Sequence, residues 1–336
     1  LPMILYVIFL TTLVVILHVI FGQVSLKTPD FKRWPGFVEH FFGTTAKNAV
    51  LAIMSLGSFS VLLVYLLVGG QFLSAIFLPV FGGSVIYYVL VYFTVASLVV
   101  YFGITAVSKI EFLAIVLLLL LLLLVFIKAF SYINIANFFA VPALPDWKIL
   151  FLPYGAIMFS LWGTGLIPEV EEMVRGRKSS LKSIVIIGTI IPAIIYTVFI
   201  FLVLGITGSG TTESALLGIQ QVLGNGLTGI ILFIGVVTTF TAFIAQGVLL
   251  KKVFVYDAKM PHFPAWVFTC FIPLALLLLG LNSFIAIISF VGGFLLGIDG
   301  ILILLMYKKI GGKSWVVYPL SVVFIFGIMC QIIYII

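Results

Sequence analysis

Along this 336-residue chain, apolar positions do not alternate with polar ones at a helical or strand period. They come in long, nearly unbroken blocks. Ten blocks, at about 1–22, 47–69, 84–106, 110–131, 150–173, 183–207, 227–250, 263–281, 283–307 and 315–335, are long enough as helices to cross a hydrocarbon core. Such a crossing takes roughly 20 residues. Clear loops fall at Thr207-Gly208-Ser209-Gly210-Thr211 and at Gly311-Gly312-Lys313, whereas Gly280-Leu281-Asn282-Ser283 alone separates the eighth block from the ninth. Ile115 to Val125 is almost without polar atoms, which predicts a lipid-facing helix. The pattern predicts an all-α polytopic membrane protein, a single transmembrane domain of about ten helices.

The fifth block is interrupted. Ile149 to Phe159 reads as a half-helix, Gly163 and Gly165 follow, and Ile167-Pro168-Glu169 reads as a new start. Each glycine weakens a helix by roughly 1 kcal/mol. Proline suits the first helical position, and an acid in the first turn complements the positive helix end. Unpaired backbone at membrane depth is tolerated only where protein buries it or where it lines a cavity. A broken span is the best sequence-level pointer to a transporter's binding site. The half-helix ending near Gly163 is expected to offer free carbonyls to a substrate ammonium, and the one starting near Pro168 free amides. Gly205, near the end of the sixth block, is expected to tolerate alanine.

Composition agrees with the pattern: 64% of residues are hydrophobic and 8% charged. A soluble domain has about 25% charged residues. The 17 basic residues divide sharply when loops are assigned to alternating sides. Fifteen fall on one side: Lys27, Lys32, Arg33, Lys47, Lys109, Arg175, Arg177, Lys178, Lys182, Lys251, Lys252, Lys259, Lys308, Lys309 and Lys313. Lys128 and Lys148 fall on the other. The positive-inside rule makes the rich side cytoplasmic. The net charge of +7 then faces anionic headgroups and does not signal nucleic acid. The same alternation places both ends of the chain outside. With no basic residue before the first block, this points to an upstream helix with a cytoplasmic N-terminus; a naturally short chain is the alternative.

Other chemistry is sparse. Cys270 and Cys330 lie within blocks and read as packing residues. No metal-ligand cluster, P-loop or GxGxxG sequence is present, so neither a metal nor a nucleotide cofactor is expected. His18, in the first block, reads as a hydrogen-bonded structural residue, with a proton relay as the alternative. Lys32 to Phe42 mixes aromatics with charges and reads as an interfacial amphipathic helix. Ser214-Ala215-Leu216-Leu217-Gly218-Ile219, in the loop 211–226, reads as a connecting loop or as a lid over the pathway.

Tyr154 through Gly163 to Pro168-Glu169 resembles the sixth helix of amino acid permeases in the amino acid/polyamine/organocation superfamily. Lys182 to Gly205, with Gly188-Thr189-Ile190-Ile191-Pro192 and Tyr196, is similar to the helix that follows. Val107-Ser108-Lys109-Ile110-Glu111-Phe112 resembles that family's entry into its fifth helix. Thr238-Thr239-Phe240 through Val255-Tyr256-Asp257 resembles its eighth helix and exit loop. The resemblance spans essentially the whole chain. It is closest to the aromatic amino acid permease and amino acid/auxin permease branches. It implies a leucine-transporter-type inverted-repeat fold, here lacking the family's Gly-rich first helix. That helix would hold most of the substrate carboxylate.

The resemblance implies an amino acid as substrate, and the aromatic side chains near the break point to a neutral, large apolar or aromatic one. Phe159, Ser160, Trp162, Gly163, Thr164 and Gly165 would form the site, with Tyr65 closing it. Phe159 and Trp162 equally read as packing aromatics. Thr238 and Thr239, with Thr241, would help coordinate a sodium ion, or else bond back to their own helix. Glu169 reads as a helix-start acid or a proton carrier. Asp299, about 13 Å inside its helix end at 1.5 Å per residue, must face protein or water. It is either a coupling or gating carboxylate or a structural one, paired by a hydrogen bond or a lysine. Glu111, beside Lys109, reads as an interfacial charge. The expected partners are thus an amino acid, a coupling proton or sodium ion, and the bilayer of the cell membrane. An ion channel would show a repeated filter or rings of polar residues. An enzyme would need a catalytic cluster at depth, and neither pattern is present.

Overall fold

The computed structural model describes residues 2–29, 33–103, 107–138, 147–212, 215, 218–219 and 225–335. Among these, the protein is helical throughout, without strands. The helices are α1 (Pro2–Leu26), α2 (Trp34–Phe42), α3 (Thr44–Phe81), α4 (Val85–Phe102), α5 (Val107–Ala129), α6 (Trp147–Leu161) and α7 (Ile167–Met173). They continue with α8 (Leu181–Thr207), α9 (Asn225–Tyr256), α10 (His262–Leu278), α11 (Phe284–Phe290), α12 (Leu296–Lys309) and α13 (Ser314–Ile335). Among the described residues, eight helical stretches are long and apolar enough to cross a membrane. Of the other two predicted blocks, one is the 17-residue α10 and the other is the interrupted pair α6 and α7. The protein is therefore a multi-pass membrane protein. The ends of the predicted blocks move most in α3, which runs 38 residues. The boundary at 279–283 is non-helical, as expected.

The chain divides into two compact units. The first comprises 1–57, 144–197 and 285–336, and the second comprises 58–143 and 198–284. In the first unit, Leu10, Val14, Leu17, Phe21 and Val24 of α1 are buried at alternating spacings of four and three. Ile4, Leu5, Ile8 and Phe9 of the same helix are exposed. Both faces are equally apolar, so the choice of inner face is made by fit rather than by polarity. In lipid, helices associate through close van der Waals packing, which favours small residues at the crossing. Gly293, Gly297 and Gly300 form such a stripe; a Cβ on each would press into Gln331, Ile328 and Phe324 of α13.

The first glycine of that stripe lies in a feature that the sequence pattern does not predict. Val291–Leu295 forms a π-helical turn joining α11 to α12. It packs against α6 so tightly that a Cβ on Gly292 would overlap the Gly155 carbonyl oxygen, and one on Gly155 would lie 2.5 Å from the Ser289 carbonyl oxygen. Such turns occur often at functional sites. Here the turn brings bare backbone to the half-helix that leads into the break.

In the second unit, Gly69 and Gly70 of α3 meet Tyr92 and Val89 of α4, and Gly247 of α9 meets Val100. Lys251 reaches the end of α4 and donates to the Val100 and Tyr101 carbonyl oxygens at 2.6 and 2.9 Å. A cation there satisfies acceptors that the helix leaves open. The described apolar side chains of α5, from Phe112 to Ile127, are largely exposed, as the lipid-facing expectation requires. Gly205 departs from expectation. A Cβ there would lie 2.9 Å from Phe138 and 3.0 Å from Ile133, and its carbonyl accepts from Asn134 and Asn137. It is a packing position, not a tolerant one. Of the loop 211–226, Ser214, Leu216 and Leu217 lie outside the described residues, and Ile219 is fully buried against Leu202, Val203 and Ile206.

Candidate functional site

The break is present where the sequence places it, and it is short. α6 ends at Leu161, Trp162 and Gly163 are non-helical, and Thr164–Leu166 forms one 3-10 turn before α7. Pro168 occupies the second helical position, one later than expected, and Glu169 lies in the first turn. Gly163 has φ −125° and ψ 17°, which any residue adopts. A Cβ on Gly163 would rest 3.6 Å from the His18 ring, and one on Gly165 would meet nothing within 4 Å. Both glycines therefore act through low helix propensity and open space, not through a conformation that excludes side chains.

The free amides expected near Pro168 are largely engaged. Leu166 N–H donates to the Gly163 carbonyl, Ile167 N–H to the Thr164 carbonyl, and Pro168 has none to offer. The Gly163 N–H goes instead to a side chain from α1. It donates to His18 Nε2 at 3.2 Å. The opposite ring nitrogen, Nδ1, lies 2.9 Å from Thr189 Oγ1 of α8. The Thr189 hydroxyl itself donates to the Val185 carbonyl at 2.9 Å. Its single proton being spent there, Thr189 accepts from Nδ1–H. A backbone amide can only donate, so Nε2 carries a lone pair. The two partners thus fix one neutral tautomer of a ring that is only 3% exposed. From the sequence His18 reads as a hydrogen-bonded structural residue or a proton relay, with nothing to attach it to the break.

The other candidates distribute as follows. Trp162 packs edge-on against His18, with ring centroids 6.1 Å apart, and against Phe324 at 6.5 Å. Its Nε1–H is buried and has no hydrogen-bond partner among the described residues. Phe159 is half-buried, with its backbone against Gly292. The Ser160 hydroxyl donates back to the Ile157 carbonyl at 3.0 Å. Thr164 is buried and Gly165 exposed. Glu169 pairs with Arg33 at 3.7 Å, and Glu172 pairs with the same guanidinium at 3.6 Å. Partly exposed pairs of this kind contribute at most about 1 kcal/mol. Asp299 has a hydrogen-bond partner rather than a lysine: its Oδ1 accepts from Trp34 Nε1–H at 3.1 Å. Adjacent residues before and at the start of α2 thus tie it to α7 and to α12.

Tyr65, Thr238 and Thr239 belong to the second unit. Tyr65 packs against that unit's core. Thr238 donates to the Ile234 and Gly235 carbonyls and Thr239 to those of Gly235 and Val236, while Thr241 bonds to Thr238. These hydroxyl protons are spent within their own helix, which leaves only oxygen lone pairs for any cation. The side chain of Glu111 lies outside what is described. Comparison with protein-family models and with curated proteins finds no match to this chain.

Proposed function

We propose that this chain is a secondary transporter that moves neutral amino acids, large apolar or aromatic ones first, across the cell membrane by alternating access. The observation that carries the reading is the interruption of a membrane-length span at Trp162–Gly163, with open space beside Gly165. Transporters place such broken helices at their binding sites. A division into two compact units is the kind of architecture alternating access needs. In this reading the fold is the leucine-transporter type that the sequence resembles. The substrate lies along Phe159 to Gly165 of the first unit. The gradient of a proton or a sodium ion drives uptake, and the lysine-rich ends of the helices face the cytoplasm.

The test is uptake of a labelled amino acid mixture into proteoliposomes holding the full-length protein, with each of the twenty amino acids as competitor. Competition by the large apolar and aromatic members is expected. Uptake that no amino acid competes for, and that ignores both pH and sodium gradients, overturns the assignment.

A further inference from the structure

We infer that His18 carries a coupling proton, and that proton binding at Nε2 and binding of a substrate carboxylate at Gly163 N–H are one linked event. The inference rests on the transporter reading above and names a residue and an ion for it. In the structure Nε2 is an acceptor and Gly163 N–H its donor, 3.2 Å apart. Placing a proton on Nε2 turns the acceptor into a donor. Two N–H groups then face each other, and the existing bond is lost. Gly163 N–H is released at the break, and the new Nε2–H points to the same space. A carboxylate oxygen entering there accepts from both. The step balances: one proton and one carboxylate arrive together, the imidazolium and the anion neutralise each other, one hydrogen bond is exchanged for two, and Nε2–H is the only covalent bond formed.

Three further observations support the site. Trp162 Nε1–H, on the residue before Gly163, is a buried donor without a partner among the described residues, which suits an anion and not a cation. Thr189 keeps accepting from Nδ1–H in both protonation states, so the ring is held while Nε2 changes role. A recess lined by Val19 and Gln23 of α1, by Ser179, and by Lys182 and Val185 of α8 includes the residue that follows His18 in sequence.

The ring's own neighbours are neutral: Thr189 from α8, and Gly163 and Trp162 from the break. α1 has no charged residue, and its Tyr6 lies twelve positions earlier. On the elements packed around α1, Glu169 and Glu172 of α7 pair with Arg33, and Asp299 of α12 accepts from Trp34. Glu171 of α7 is buried two residues after Glu169. Lys182 of α8 precedes Thr189 by seven residues, and Tyr196 follows it by seven.

The test uses the full-length protein, labelled with 15N-histidine, in lipid nanodiscs. The His18 resonances are assigned by their loss in His18→Gln. Without substrate near neutral pH, Nδ1 is expected protonated and Nε2 not. Saturating L-phenylalanine should convert the ring to imidazolium at the same pH, and L-phenylalaninol, which lacks the carboxylate, should not. L-Phenylalanine should bind more tightly as pH falls. His18→Gln should weaken binding about tenfold and flatten its pH dependence. In proteoliposomes, L-phenylalanine entry should acidify the lumen for wild type and not for His18→Gln. An Nε2–H tautomer at rest, a ring that stays neutral with L-phenylalanine bound, or a variant with wild-type pH dependence overturns the inference. If wild type binds none of the twenty amino acids, the transporter reading falls and the linkage with it, while the tautomer measurement still reports on the capping bond alone.

Discussion

The imidazole of His18 closes the backbone of the break: its Nε2 accepts the N–H of Gly163, 145 residues away in sequence. A chain that leaves helical geometry inside a bilayer has backbone donors and acceptors that water cannot satisfy there, and each one left unpaired is costly. A side chain from another helix removes that cost for the amide of Gly163, within the break.

Removing this acceptor should therefore be felt as lost stability. His18→Leu leaves the Gly163 amide unpaired and should cost about 1–3 kcal/mol. Thr189→Val removes the partner of Nδ1–H and should cost a similar amount or less, since the ring can still accept from Gly163. Thermal unfolding in one detergent, with both variants beside wild type, measures the ranking. A His18→Leu protein as stable as wild type would mean that Gly163 has another acceptor.

Alanine should separate the glycines of the break from those that pack. Gly163→Ala and Gly165→Ala have room for the methyl group and favour a continuous helix by roughly 2 kcal/mol in sum. Their double variant should stay folded and lose substrate binding. Gly205→Ala drives a methyl into Phe138 and Ile133 and should cost about 1–3 kcal/mol. Gly292→Ala, against the Gly155 carbonyl, meets backbone that cannot swing aside and should be worse. Expression and monodispersity of the double variant, Gly205→Ala and Gly292→Ala beside wild type give the order directly.

Trp34 and Asp299 form another long-range polar contact of the first unit. Trp34→Phe leaves the carboxylate without its donor and should destabilise by about 1–3 kcal/mol. Asp299→Asn keeps an oxygen facing the indole and should be nearly neutral for stability. If Asp299→Asn abolishes transport while melting normally, the carboxylate has a role beyond this bond.

Topology is testable without any substrate. Reporters fused after Lys178 and after Gly210 flank α8, a helix of 27 residues. They should report opposite sides of the membrane, with Lys178 cytoplasmic by the positive-inside rule. Finding both on one side would remove α8 as a span and the inverted-repeat fold with it.

Much of the architecture is legible in the chain because it is written locally. Block length, loop composition and helix propensity predict helices, spans and the interruption near Gly163, and each of these is a property of consecutive residues. The resting places of single residues are not. Gly205 reads as an ordinary helical glycine until Phe138 and Ile133 are brought onto it. Thr238 and Thr239 read equally as ion ligands or as self-bonded hydroxyls, and only the helix geometry shows their protons spent on carbonyls one turn back.

The sequence by itself thus determined an all-helical, membrane-spanning protein with one broken span, because apolar length and glycine content act on the nearest turns of chain. Which face of each helix turns inward was decided by the tertiary structure alone. In a block that is apolar on every side, no hydrophobic stripe distinguishes the two faces, and shape complementarity at Gly155, Gly292 and Gly297 selects the contact instead. The same selection brings His18 to Gly163 and Trp34 to Asp299, pairs separated by 145 and 265 residues, and so creates hydrogen bonds that no local pattern encodes.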